Sequence, residues 1–418
     1  MTVELIAKLS DPIVSVGQGA QRQLELTITA QRQQQQRPPL NLCLILDHSG
    51  SMAGVPLATV KRAAQSLVDR LLPTDRLSVV AFDHKAQVLV PNQWVEDKAV
   101  IKAQIEELEP SGGTAIDAGM KLGLAELAKG KQGTISQAFL LTDGENEHGD
   151  NQRCLDLAKL AAEYNITFNT LGFGVYWNQD VLEQIADAGG GRLMFIEYAE
   201  QAIACFQSLF SHISSVNYTN AHVLLTLGEA AQLGNFKPVN QVAPDTIELI
   251  YESPHPHEYV IRVGDVSATV KRTLLITLSI QPLPSGSHLI GFVQVRYDDP
   301  VQQSKGLFSE RIPLTLTAEP EHLPQVDPEV QQSILTLEKY RKTKLAETKL
   351  QAGDTAGAAT FLQSAAKTAL QLGDTEAAKI LEASAQELQQ QSTLSESALK
   401  RTRIASKTVL SSPPSPSN

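Results

Sequence analysis

Five oxygen-bearing side chains stand where three segments of the chain turn from apolar to polar. Asp47, Ser49 and Ser51 end the run Leu-Cys-Leu-Ile-Leu-Asp-His-Ser-Gly-Ser at 42–51, Thr114 lies in Ser-Gly-Gly-Thr-Ala at 111–115, and Asp143 closes the apolar run Ala-Phe-Leu-Leu-Thr at 138–142, within Thr-Asp-Gly-Glu at 142–145. Hard oxygens without histidine or cysteine suit magnesium, manganese or calcium rather than zinc. Two carboxylates formally balance one divalent ion. Hydroxyls are neutral and weakly donating, so an ion held by them stays electrophilic, and an octahedral ion keeps positions for water or for a further carboxylate. Gly112 and Gly113 let the backbone approach closely. His48, Asp83, Asp117, Glu145 and His148 are further residues expected at the rim. Of these, His48 and His148 are candidates for tuning by pH, and Asp117 reads as an acid in the first turn of a helix.

The five converge only if their loops leave one edge of one sheet. The apolar run at 42–46 reads as a strand buried on both faces, the usual state of a central parallel strand. From 41 to 214 strands at 41–46, 76–82, 86–90, 135–141, 166–172 and 192–196 alternate with helices at 57–72, 98–108, 115–129, 152–163, 178–187 and 199–214. This pattern predicts a doubly wound, mostly parallel α/β sheet, with 86–90 as an antiparallel edge. In such sheets ligands bind outside the carboxyl ends of the strands, where all three polar loops then sit.

Outside this region the period changes to two. Alternation near 3–9 and 23–30 returns at 221–227, 246–251, 259–263, 272–280, 288–297 and 306–317, which predicts an antiparallel β-sandwich. Two strands alone are not stable, so the N-terminal pair is expected to join the later ones, with the α/β domain inserted between them. Asp327-Pro328-Glu329 is a helix start, and Leu-Gln-Ala-Gly-Asp-Thr at 350–355 is echoed by Leu-Gln-Leu-Gly-Asp-Thr at 370–375. Each echo places Gly at one helix end and Asp at the next helix start, so a C-terminal α-helical bundle of three helices is expected. The expected domains are therefore 1–37 and 216–320 for the sandwich, 38–215 for the α/β domain and 327–392 for the helices. Residues 393–418, with Lys400, Arg401, Arg403 and Lys407 followed by Ser and Pro, read as a disordered basic tail.

Composition narrows the function. A chain of 418 residues exceeds one compact core. Its net charge of -11 argues against a protein that coats nucleic acid, and no tryptophan or aromatic patch marks a contact surface beyond the metal rim. Cys43, Cys154 and Cys205 are too scattered for a disulfide framework or a zinc pattern. The N-terminus has neither a charged nor an apolar leader region, and no segment is long and apolar enough to span a membrane, so a cytoplasmic location is expected.

The set Asp47-x-Ser49-x-Ser51, Thr114 and Asp143 resembles the metal-ion-dependent adhesion site of von Willebrand factor A domains, of the bacterial intracellular type. Thr-Asp-Gly-Glu at 142–145, Leu-Gly-Phe-Gly at 171–174 and Ala-Asp-Ala-Gly-Gly-Gly-Arg at 186–192 extend the resemblance over 41–214. It implies that Ser49, Ser51 and Thr114 coordinate a divalent ion, Mg2+ or alternatively Mn2+ or Ca2+, with Asp47 and Asp143 acting directly or through water. It also implies a non-enzymatic adaptor or scaffold whose ion takes an Asp or Glu of a partner protein, in a family that works with ring-shaped ATPases or signalling kinases. The alternatives are a Mg-dependent hydrolase or phosphatase using the same ion, or a signalling adaptor controlled by phosphorylation of the tail at Thr402, Ser406 or Thr408, read by a phosphothreonine-binding protein. No GxxxxGK[ST] loop, no GxSxG elbow and no Lys or Arg in the three metal loops supports catalysis.

Overall fold

The computed structural model describes residues 2–31 and 37–408. The chain divides into two compact units, one made of Arg32–Asn220 with Asp298–Gly306, the other of Met1–Gln31, Ala221–Tyr297 and Leu307–Asn418.

The first unit is built on strand Leu40–Asp47, whose eight residues are all buried. Successive side chains point to opposite faces of a sheet. Leu40, Leu42, Leu44 and Leu46 accordingly enter one core and Cys43 and Ile45 the other. Helices Val55–Arg70, Lys98–Glu106 and Ala202–Ser214 cover the leucine face. Helices Ile116–Lys129, Asn151–Glu163 and Gln179–Ala188 cover the other. The six strands lie in the order Ala86–Trp94, Arg76–Phe82, Leu40–Asp47, Ile135–Thr142, Ile166–Phe173, Gly190–Ile196. All neighbours are parallel except the first pair, where the edge strand Ala86–Trp94 runs antiparallel. The chain leaves Leu40–Asp47 towards one side for its next strand and returns to the other side for Ile135–Thr142. The strand order therefore reverses at the carboxyl ends of these two strands, which is where a doubly wound sheet opens a crevice.

The second unit joins strands from both sides of the first in sequence. Thr2–Leu9 pairs with Ala20–Gln31, which pairs along its length with Arg272–Ile280. Val239–Ala243, Ile247–Glu248 and Ala231–Leu233 complete this sheet. The other sheet runs Tyr251–Glu252, Glu258–Ser267, Val216–Leu227, Gly286–Asp299, Ile312–Glu319, Ile13–Ser15. Its last pair is parallel, and Ser304–Phe308 pairs with Gly286–Asp299. The expected strand at 246–251 is instead two fragments on different sheets, separated by an exposed Ile250. The run expected at 306–317 is likewise broken between Phe308 and Ile312.

Four helices follow, Pro328–Gln351, Thr355–Gln371, Thr375–Gln391 and Glu396–Lys407. Asp327, Asp354 and Asp374 cap the first three through their carboxylates, and Gly353 and Gly373 take positive φ at the turns, as the echoed sequence implies. Val330, Leu337 and Tyr340 pack on Val242 and Leu275 of the sandwich.

The fourth helix corrects the expectation of a disordered tail from 393. Ser395 caps it through Ala398 N, with Glu396 in the first turn, and Ala405 enters the helical core. Lys400 and Lys407 are buried along with Thr402 and Ser406, so a basic stretch without acids packs through its alkyl stems. Lys339, fully buried, donates to Asp374 Oδ2 at 3.0 Å, Ala405 O at 2.8 Å and Thr408 O at 3.3 Å, closing the carbonyl end of this helix. The expected tail at 409–418 lies outside the described residues.

Candidate metal centre

Asp47 is the last residue of the central strand and Asp143 follows the neighbouring one, so the parallel register brings their loops together. Asp47 is fully buried. Its Oδ1 accepts Ser49 N at 2.8 Å and its Oδ2 accepts the Thr142 hydroxyl. Ser49 Oγ and Ser51 Oγ are 3.0 Å apart, and Ser51 Oγ donates to Asp143 Oδ1 at 2.7 Å. A Cβ added at Gly144 would stand 3.5 Å from Thr114 Oγ1 and 3.9 Å from Ser51 Oγ, which places Thr114 on the Ser51 side of the Asp143 loop.

Backbone bonds tie the three loops. Gly50 N donates to Gly112 O at 3.0 Å, Ser111 N to His48 O at 2.8 Å, and His148 N to Thr114 O at 2.9 Å. Gly112 has φ +63, and a Cβ there would meet His84 Nδ1 at 2.2 Å. At Gly113 it would meet the His148 ring at 2.3 Å. The two glycines are thus held between two imidazoles, and no other residue type fits without displacing one of them.

Electrostatics supplies the test of fit. Burial pushes the Asp47 carboxyl up to about 6, hydrogen bonds from Thr142 and Ser49 pull it back, and the neighbouring Asp143 adds repulsion. Burial raises Asp143 as well, against its bond from Ser51. Two carboxylates raised by burial, Asp47 also by the charge of Asp143, with the Ser49 and Ser51 hydroxyls between them, suit a divalent cation. Among the described residues no three His, Cys, Asp or Glu side chains cluster as a metal site.

The rim differs from expectation in part. His48 is buried with Nδ1 2.8 Å from Glu109 O, and so holds the loop rather than facing outward. Asp83 is buried and accepts Lys85 N at 2.7 Å, while His84, not singled out from sequence, lies 3.3 Å from its Oδ2. Asp117 is in the first turn of its helix and pairs with Arg153 at 3.4 Å. Glu145 and His148 are exposed. Tyr176 and Tyr198 follow strands Ile166–Phe173 and Gly190–Ile196 at the same edge of the sheet and are 81% and 57% exposed. Thr142 and Asn146 also bear on the site; Thr142 had a signal as the residue before Asp143, whereas the partner of Asn146 is 30 residues away.

The expected phosphorylation sites lie in the other unit and are not on an accessible tail. Thr402 is 3% exposed and hydrogen-bonded to Ser384 at 2.7 Å, and Ser406 is 1% exposed and donates to Arg403 O. Thr408 is half-buried and donates to Asp245 Oδ1 at 2.7 Å. Cys43 and Cys154 are buried, and burial pushes both thiols up to about 12, so they are packing groups.

Residues 41–212 match the von Willebrand factor type A domain, and residues 328–412 match the Sll0103-like C-terminal alpha-helical domain. Protein sll0103 of Synechocystis sp. is 51% identical over 419 residues, covering all of both chains. The chain belongs to the Sll0103-like family and carries a von Willebrand factor type A domain. This A domain is also similar to YfbK of Escherichia coli, 29% identical over 176 residues, or 41% of this chain and 31% of that one. Two solved structures match nearly the whole Sll0103-like chain. A von Willebrand factor type A protein from Catenulispora acidiphila gives a TM-score of 0.82 at 18% identity, covering 98% of this chain and 97% of the other. The ArnB paralog VWA2 from Sulfolobus acidocaldarius gives 0.61 at 16%, covering 97% and 98%. These two likenesses bear on the fold.

Proposed function

We propose that this protein is a non-enzymatic, metal-dependent protein-binding module. Asp47, Ser49, Ser51, Thr114 and Asp143 would hold one divalent cation, Mg2+ in the first place and Mn2+ or Ca2+ as alternatives, and a partner protein would present an Asp or Glu to it. The observation that carries this reading is the hydrogen-bonded chain from buried Asp47 through Ser49 and Ser51 to Asp143, at the reversal point of the sheet. A bound cation would supply a Lewis-acidic position for a carboxylate oxygen.

The protein's own groups do the rest. Asp47 and Asp143 provide the negative charge, and the Thr142 hydroxyl holds Asp47 in place. Gly112 and Gly113 let the third loop pass close against the His84 and His148 rings on its way to Thr114. Exposed Tyr176 and Tyr198, on loops of the same edge, and Val55, the first residue of helix Val55–Arg70, offer apolar contact around the acidic anchor. The sandwich and the four helices present this module as an adaptor or scaffold, with a ring-shaped ATPase or a signalling kinase as the kind of assembly it would serve.

The test is affinity capture from the native lysate with Mg2+, with EDTA, and with Asp47→Ala. A partner lost in the last two conditions supports the reading. A partner kept in all three moves the binding surface away from the A-domain edge.

A further inference from the structure

Helix Ile116–Lys129, which directly follows Thr114, begins without a cap of its own. Its N-cap residue, Ala115, has no side chain that accepts a hydrogen bond, and exposed N–H groups at a helix start need partners. The partner comes from another loop. Asn146, three residues beyond Asp143, accepts Ile116 N on Oδ1 at 2.7 Å. Its Nδ2 donates to Asn151 Oδ1 at 3.1 Å and to Cys154 Sγ at 3.6 Å, so both ends of the carboxamide are engaged and its orientation is fixed. Gly149 closes over it: a Cβ there would lie 2.1 Å from Asn146 Oδ1 and 2.3 Å from Asp117 Oδ1.

Thr114 is therefore held from two other loops. Ala115 N donates to Asp83 O at 2.7 Å and Thr114 O accepts His148 N at 2.9 Å, while Asn146 takes the next free N–H. Two of these three bonds come from the loop that also carries Asp143.

We infer that Asn146 is a positioning residue that locks the Thr114 loop to the Asp143 loop, so that the hydroxyl on one and the carboxylate on the other form a single preorganised half of the cation site. The inference rests on the cation reading of that site. Its structural part does not, because the lock consists of hydrogen bonds between protein groups alone. Supporting groups of this kind commonly change metal affinity 10–100-fold when removed.

The experiment compares wild type with Asn146→Ala, Asn146→Asp, Asn151→Ala and, as a control, Asp47→Ala. Amide hydrogen exchange over residues 112–120 is measured in EDTA, and Mn2+ affinity by calorimetry, with circular dichroism to show that each variant is folded. Asn146→Ala should raise exchange by about tenfold or more, by freeing the helix start, and weaken Mn2+ binding about tenfold or more. Asn146→Asp keeps an acceptor at a helix N-terminus and should stay within about threefold of wild type in both. Asn151→Ala, the milder variant, removes only the far end of the network and should fall between them. Exchange or affinity in Asn146→Ala within about twofold of wild type overturns the inference. If wild type and Asp47→Ala alike bind no Mn2+, the cation reading fails and exchange alone decides whether Asn146 fixes the loop.

Discussion

Lys339 and Asp374 offer a quantitative test of how the helices hold together. The ammonium is fully buried, the carboxylate is 1% exposed, and they are 3.0 Å apart. Lys339→Met keeps most of the stem but removes three donations, leaving Ala405 O and Thr408 O without this donor and the Asp374 charge compensated by its bond to Ala377 N at 3.1 Å. Breaking one side of a buried ion pair costs about 3–5 kcal/mol. Asp374→Ser retains an N-cap oxygen for Ala377 and removes the charge, so the double variant should lose much less than the sum of the two singles. A coupling of about 2 kcal/mol or more is expected. The assay is urea unfolding followed by circular dichroism at the helical minimum, with hydrogen exchange in Glu396–Lys407 as the local readout. Additive losses within about 0.5 kcal/mol, or a Lys339→Met cost under about 1 kcal/mol, would refute the reasoning.

Three further outcomes follow from the geometry. Gly112→Ala should weaken Mn2+ binding, because φ +63 and His84 at 2.2 Å leave no room for a methyl group, and adding His84→Ala should restore part of the loss in calorimetry. Tyr176→Ala should lower partner affinity about tenfold by surface plasmon resonance while leaving cation affinity unchanged, since an exposed aromatic beside an anchor contributes contact rather than coordination. Asp11→Asn should destabilise the sandwich unit in a pH-dependent way. Burial works against the Asp11 carboxylate, but hydrogen bonds from His322, Ile13 and Gln325 and the charge of Arg22 hold it below its usual 3.8. A depressed carboxylate contributes stability that is full above the unfolded value and lost as pH falls through the folded one. The difference in urea midpoint between wild type and Asp11→Asn should therefore be constant near neutral pH and vanish well below 3.8.

The α/β unit was legible because its pattern is local. The run 42–46 can be satisfied only by two covered faces, and the structure sends its leucines one way and Cys43 and Ile45 the other. The order of strands then placed three polar loops at one edge. The Gly-Asp-Thr echoes were legible for the same reason, since cap chemistry is contained within four residues. Glu396–Lys407 was not, because its stability comes from afar. Lys339 closes its end from 66 positions away, and its lysines bury stems that composition scores as polar. The lock at Asn146 was hidden in the same way, since no local pattern connects a carboxamide to the N–H of a helix that starts 30 residues earlier. The fragments Ile247–Glu248 and Tyr251–Glu252 misled in the opposite direction: continuous alternation concealed a change of sheet at Ile250.

Five oxygen-bearing side chains are proposed to hold one divalent cation. The most direct measurement is anomalous diffraction from crystals of the protein grown with Mn2+. A single strong manganese peak within coordinating distance of Ser49, Ser51 and Thr114, absent in crystals of Asp47→Ala, is the result this account predicts. A map with no peak between those hydroxyls, or with its peak elsewhere in the molecule, would contradict it.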